Sequence, residues 1–166
     1  MNSTSGREQV KALKAEIVSL EMEITDAVIA SLFSSIENCW DHFPENNHAA
    51  LLLQAIANVV HHVDILRTKA NIRAQSLLRS LANAFEEVVG DKLGAEEKLE
   101  ITAHEVKQVL DWQQECLEKL IEKQRTAGGP VVDGDGLRAL KALFEKEMVK
   151  TKDLVESEFT SIKGLM

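Results

Sequence analysis

Aromatic side chains are scarce in this chain, with five phenylalanines, two tryptophans and no tyrosine in 166 residues. With hydrophobic residues at 45% of the whole there is still enough apolar material for a real core, so that core must be aliphatic. Positive charge is short as well: 19 lysines and arginines against 27 acids leave a net charge of −8. Nucleic-acid backbones and anionic membranes both reward positive charge, so neither is expected as a general partner. The two cysteines, Cys39 and Cys116, stand alone without metal-ligand spacing. Together with a polar start that lacks an apolar leader run, this predicts reduced thiols in a cytoplasmic protein. The most apolar run, Ala49 to Leu66, is interrupted by Gln54, Asn58, His61, His62 and Asp64, so no membrane span is expected. There is no serine or cysteine with a nearby base, and no phosphate-binding glycine loop, so no enzymatic chemistry is expected from the common motifs.

What the chain has in quantity is helical periodicity. From His48 to Val89 there is neither glycine nor proline. Apolar residues recur three and four apart at Leu52, Ile56, Val59, Val63, Leu66 and Ala70, then at Ala74, Leu77, Leu81, Ala84 and Val88. The four-residue step from Ala70 to Ala74 reads as a stutter that locally unwinds a heptad pattern. As one helix this stretch would span roughly 60 Å and need partners along its whole length.

Glycine and proline punctuate the rest at Pro44, at Gly90 and Gly94, and at Gly128, Gly129, Pro130, Gly134 and Gly136. The predicted fold is therefore all-α, an antiparallel bundle of four long helices with coiled-coil-like packing. A three-helix core covers residues 1–127, with helices at about 5–42, 47–89 and 95–126. A Gly/Pro-rich linker follows at 128–136, then a C-terminal amphipathic helix at 137–166 that either packs on the bundle or projects from it. In the first helix Ser5 and Glu8 have capping-box spacing, and the seam Val10, Leu13, Ile17, Leu20, Ile24 and Ala27 shifts register from Val28 onward. Asn46 or Asn47 is placed to cap the second helix. In the third, Leu99, Ala103, Val106, Leu110, Leu117 and Leu120 form the seam, with Gln113 as a buried polar residue that would favour one register.

Three constellations carry candidate chemistry. Asp133 and Asp135 look like the start of a calcium loop, but the twelfth position falls on Phe144 where a glutamate is needed. Glu45 and His48 have the spacing of a di-iron carboxylate bundle but lie beside Pro44 with no second copy, so no metal or other cofactor is expected. Asp111 and Gln114 lie on one outer stretch of the third helix, an acid and an amide of the kind that orients water in response-regulator phosphatases.

The last anomaly is electrostatic. Between Asp64 and Glu86 no acid occurs, while Arg67, Lys69, Arg73 and Arg79 supply four positive charges. At about 100° per residue, His62, Lys69, Arg73 and Ser76 form one stripe at the edge of the buried face. A flanking histidine followed by cations suits a phosphoacceptor imidazole. The stretch His62 to Glu86 loosely resembles histidine-containing phosphotransfer domains, which are also antiparallel bundles. It departs from them at Ile65 and Leu66, where that family carries a lysine and then a glycine. The favoured expectation is a non-enzymatic interaction, scaffold or adaptor module that works through protein partners and self-associates as a homo-oligomer, with His62, Lys69, Arg73 and Arg79 as its docking face. The alternatives are a phosphotransfer protein using His62 and a phosphatase-like regulator using Asp111 and Gln114.

Overall fold

The computed structural model describes residues 3–67 and 72–126, together with residues 138, 142, 145, 146, 149 and 153. It is an all-α bundle, as the periodicity predicts. Among the described residues there are five helices: α1 Ser3–Met22, α2 Asp26–His42, α3 Asn47–Leu66, α4 Ile72–Val89 and α5 Ala95–Thr126. Two of the predicted long helices are thus each divided into two. The chain separates into two compact units, Met1–Val106 and Lys107–Met166, with the boundary inside α5 rather than in the glycine-rich segment 128–136. That segment and the calcium-loop candidate at Asp133 and Asp135 lie outside the described residues, as does most of helix 137–166.

The first division is made by Thr25. Its backbone is extended, at φ −119° and ψ 159°, and its hydroxyl accepts from the amide of Val28 at 3.2 Å, capping α2. Asp26 follows in the first turn, where a carboxylate suits the positive end of the helix dipole. The chain then folds back on itself: Ser5 Oγ lies 2.8 Å from His42 Nε2, and the Cys39 thiol donates to the Gln9 carbonyl at 3.6 Å. Ser5 is consequently a helix-interior residue tied to α2 and not the predicted cap, since α1 already begins at Ser3.

The second division falls at Arg67, the C-cap of α3, which adopts φ 44° and ψ −104°. Positive φ is sterically disfavoured for a residue with a Cβ. Local bonds hold it there: the Arg67 amide donates to the Val63 carbonyl, its Nε donates to the Asp64 carbonyl at 2.9 Å, and its guanidinium pairs with the carboxylates of Asp64 and Asp26. The stretch read as one continuous helix is therefore two, α3 ending at Leu66 and α4 starting at Ile72, and the two pack against one another; Ala70, where the stutter was placed, lies outside the described residues.

Among α1 to α4 the other packed pairs are α1 with α4 and α2 with α3. Lys14 pairs with Glu86 at 2.6 Å and Glu21 with Arg79, so numbers rise along α1 as they fall along α4. Asp26 with Arg67 and Phe33 with His61 show the same reversal between α2 and α3. Leu13, Ile17, Leu20, Leu32, Leu52, Ile56, Leu78, Leu81 and Phe85 form the largely aliphatic core. Among the described helices only α3 is long and apolar enough to cross a membrane by length and composition, with a mean hydropathy of 1.5; 61% of that stretch is buried inside the protein.

Asn46 caps α3 as expected, its side-chain oxygen accepting from the Ala49 amide at 3.0 Å. Since α1 and α2 have no glycine or proline between them, the Thr25 cap has to stop one helix and start the next. Thr25→Ala should cost about 1 kcal/mol, and Asn46→Ala a similar amount, read as shifts in the urea midpoint at constant slope. No change at Thr25 would mean that packing of α1 on α2 alone sets the turn.

Candidate functional site

His62 lies in the core at 3% exposure, not on the flank of the bundle. The reason is the breadth of the buried arc on α3. Leu51, Leu52, Leu53, Ala55, Ile56, Asn58, Val59, Val60, His62 and Val63 are all buried, so the helix faces neighbours on two sides instead of along one seam. A narrow seam put His62 at its edge; the wider arc swallows it. Burial drives its pKa down to about 4, leaving a neutral imidazole at ordinary pH. Transfer of a phosphoryl group requires a ring nitrogen that a partner's aspartyl phosphate can reach in line, and at this depth the helices would have to part first. His61 is on the outer side, its ring 4.6 Å from that of Phe33, and burial lowers its pKa while Asp64 raises it.

Two of the cations after His62 are engaged with acids of the same bundle. Arg67 bridges Asp26 and Asp64, and the Arg79 guanidinium holds Glu21 through two bonds. These hydrogen-bonded carboxylates raise the pKa of both arginines. Arg73 is not free either, and Lys69 lies outside the described residues. For Arg67 and Arg79 the arrangement is that of internal ties between helices. Their partners on other helices are Glu21 of α1 and Asp26 of α2, with Asp64 of α3 as a second partner of Arg67. The signal available was position: Glu21 and Asp26 flank the turn at 23–25.

Asp111 and Gln114 do share an exposed stretch of α5, on either side of the buried Trp112 and Gln113. Each is held by a neighbour one turn on or back. Lys107 Nζ donates to Asp111 Oδ2 at 2.6 Å, and Gln114 Nε2 donates to Glu118 Oε1 at 3.0 Å. Gln113 is buried as expected, and neither of its amide atoms has a hydrogen-bond partner among the described residues. Neither Cys39 nor Cys116 forms a disulfide, and burial pushes Cys39 up to about 11, far from the range of a reactive thiolate.

A feature that the seam did not indicate lies between α4 and the first turns of α5. Glu105 is buried at 7% exposure and accepts from the Ser80 hydroxyl at 2.8 Å. Above this pair runs an open groove of about 410 Å³ whose lining includes Asn83, Glu87, Glu100 and Ile101. The buried side of α5 is Thr102, Glu105, Val106, Val109, Trp112 and Gln113. Choosing leucines for the seam placed Leu99 and Leu110 there, and both turn out half-buried. The spacing of Thr102, Glu105, Val109 and Trp112 is equally helical, but its polar members hid it.

Comparisons with protein families, with curated proteins and with solved structures find no match for this chain.

Proposed function

We propose that this chain is a non-enzymatic helical interaction module, acting through protein contacts that include a second copy of itself. The supporting observation is three exposed large apolar side chains at helix ends, at the last residue of α1, the first of α4 and the last turn of α3. Met22 is 84% exposed, Ile72 82% and Ile65 46%. Single exposed apolar residues are ordinary, whereas several large ones on a small bundle are a contact surface in need of cover. Length no longer argues for self-association, because the two longest predicted seams fold back and cover themselves. These side chains take over that argument, and a symmetric contact through them would bury Met22 and Ile72 of both copies.

Sedimentation equilibrium at micromolar concentration should therefore give a mass above the 18.4 kDa of one chain. Met22→Lys together with Ile72→Glu should return it to the monomer while the helical circular dichroism stays unchanged. A wild-type protein that is monomeric throughout that range sinks the self-association reading, and an oligomer indifferent to both substitutions puts the contact elsewhere. The burial of His62 gives the phosphotransfer alternative no comparable support.

A further inference from the structure

The turn after α3 reverses the chain where its sequence favours a continuous helix. From His48 to Val89 there is neither glycine nor proline, and the apolar periodicity runs through the reversal with a single four-residue step. Arg67 makes the turn at φ 44°, the one non-glycine residue with positive φ among the described residues. That backbone is costly for a residue with a Cβ, and a helical one would not be. Two large apolar side chains stand uncovered on either side of the turn, Ile65 at 46% and Ile72 at 82% exposure. They are seven residues apart in sequence, two turns of a continuous helix, so a straightened chain would carry both on one face. In an antiparallel pair of such helices, with a dyad between positions 68 and 69, Ile65 of each copy meets Ile72 of the other.

A hinge strained when closed and helical when open favours the exchange of segments between copies. The contacts to be exchanged are those already described: α4 packs on α3 and, through the pairs Lys14 with Glu86 and Glu21 with Arg79, on α1. None of them requires both partners to belong to one chain. We propose that two copies of this chain associate by exchanging α4. In the pair, α3 and α4 run on as one helix, α4 of each copy packs on α1 and α3 of the other, and Ile65 and Ile72 close the junction between the two bundles. The inference rests on the self-association proposed above and supplies its route. Arg67 is the latch, since its ties to Asp26 and Asp64 hold the closed turn against the helical preference of the backbone.

Two readouts on the full chain test this, the backbone at position 67 and the copy to which the packed α4 belongs. Arg67→Ala and Arg67→Gly both remove the guanidinium, but glycine takes positive φ freely and weakens a helix, whereas alanine does the reverse. Sedimentation equilibrium should give the alanine variant a dimer dissociation constant about tenfold below that of the glycine variant, because the difference acts once in each copy. A dimer of closed chains meeting face to face would not tell the two apart. For the second readout, Lys14→Cys and Glu86→Cys are combined in one chain with Cys116→Ser, the buried Cys39 being left in place. Dimer and monomer fractions are then treated with a short bis-maleimide. On denaturing gels the dimer fraction should be linked between copies and the monomer fraction only within the chain. A dimer linked only within each chain overturns the exchange and leaves self-association standing, and so does equal affinity of the alanine and glycine variants. A wild type that is monomeric throughout the micromolar range overturns self-association and the exchange with it.

Discussion

Phe85→Ala should lower the stability of this protein by about 3–5 kcal/mol, among the largest losses any single truncation can produce here. The ring is fully buried and is the largest such side chain among the described residues. It meets the Phe43 ring edge to face, with centroids 5.7 Å apart and planes at 86°, in a core that has few other aromatics to close around a cavity. Phe43 belongs to the turn between α2 and α3, so the truncation also loosens that turn. Leu77→Ala, at a buried site, should cost about 2–4 kcal/mol. Leu66 carries a different expectation. A continuous helix would bury it fully, but at the end of α3 it is only half-buried, and its truncation should cost about 1 kcal/mol or less. Urea unfolding of the three variants checks this order; equal losses at Leu66 and Phe85 would mean that α3 and α4 continue through the turn after all.

The second large effect is a dependence on pH that originates in His62. Its pKa in the folded protein is about 4, well below the ordinary value of 6.5 that it regains on unfolding. Above pH 6.5 the imidazole is neutral in both states and contributes no slope. As pH falls below 6.5 the unfolded chain takes up a proton that the buried ring refuses, so stability drops until pH reaches about 4, below which both states are protonated. At about 1.4 kcal/mol for each pH unit in that window, the loss approaches 3 kcal/mol. His62→Leu should remove most of this difference between pH 7 and pH 4. Part of the slope should survive in the variant, because burial also lowers the pKa of His61. Parallel stability curves for the wild type and His62→Leu would show that the ring is solvated in the folded protein.

The class of fold and the residues of its core are legible in the sequence because both depend on local spacing. Val10, Leu13, Ile17 and Leu20 are buried as their three-and-four pattern implies, Asn46 caps as its type and place imply, and Gln113 is buried where the apolar register put it. What spacing does not reveal is where a helix ends when no glycine or proline ends it. Two irregularities were visible: the register change after Ala27 and the stutter between Ala70 and Ala74. Each lies within a few residues of a chain reversal, and each has a helical explanation that periodicity alone cannot reject. Thr25 followed by Asp26 was the stronger sign, a capping residue and an acid in the midst of an apolar seam. At Arg67 there was no sign, since its disfavoured φ is held by local bonds that many helix ends could make and by Asp26, a contact that exists only once α2 and α3 have come together. The depth of His62 and the groove at Glu105 were hidden for a related reason. Both follow from how many neighbours a helix has, which its own sequence does not count.

The pairing of helices also bears on how the chain reaches this state. Of the four packed pairs among α1 to α4, three join segments adjacent along the chain, and forming them closes only short loops. The fourth, α1 with α4, brings together residues as far apart as Lys14 and Glu86, 72 positions along the chain. Loop-closure entropy grows with separation, so this pair is the dearest to form from an extended chain. Once both hairpins exist, however, the effective loop is no longer the full intervening sequence but the brief link at 43–46. Docking the two hairpins through α1 and α4 then costs far less loop-closure entropy than the 72-residue separation implies.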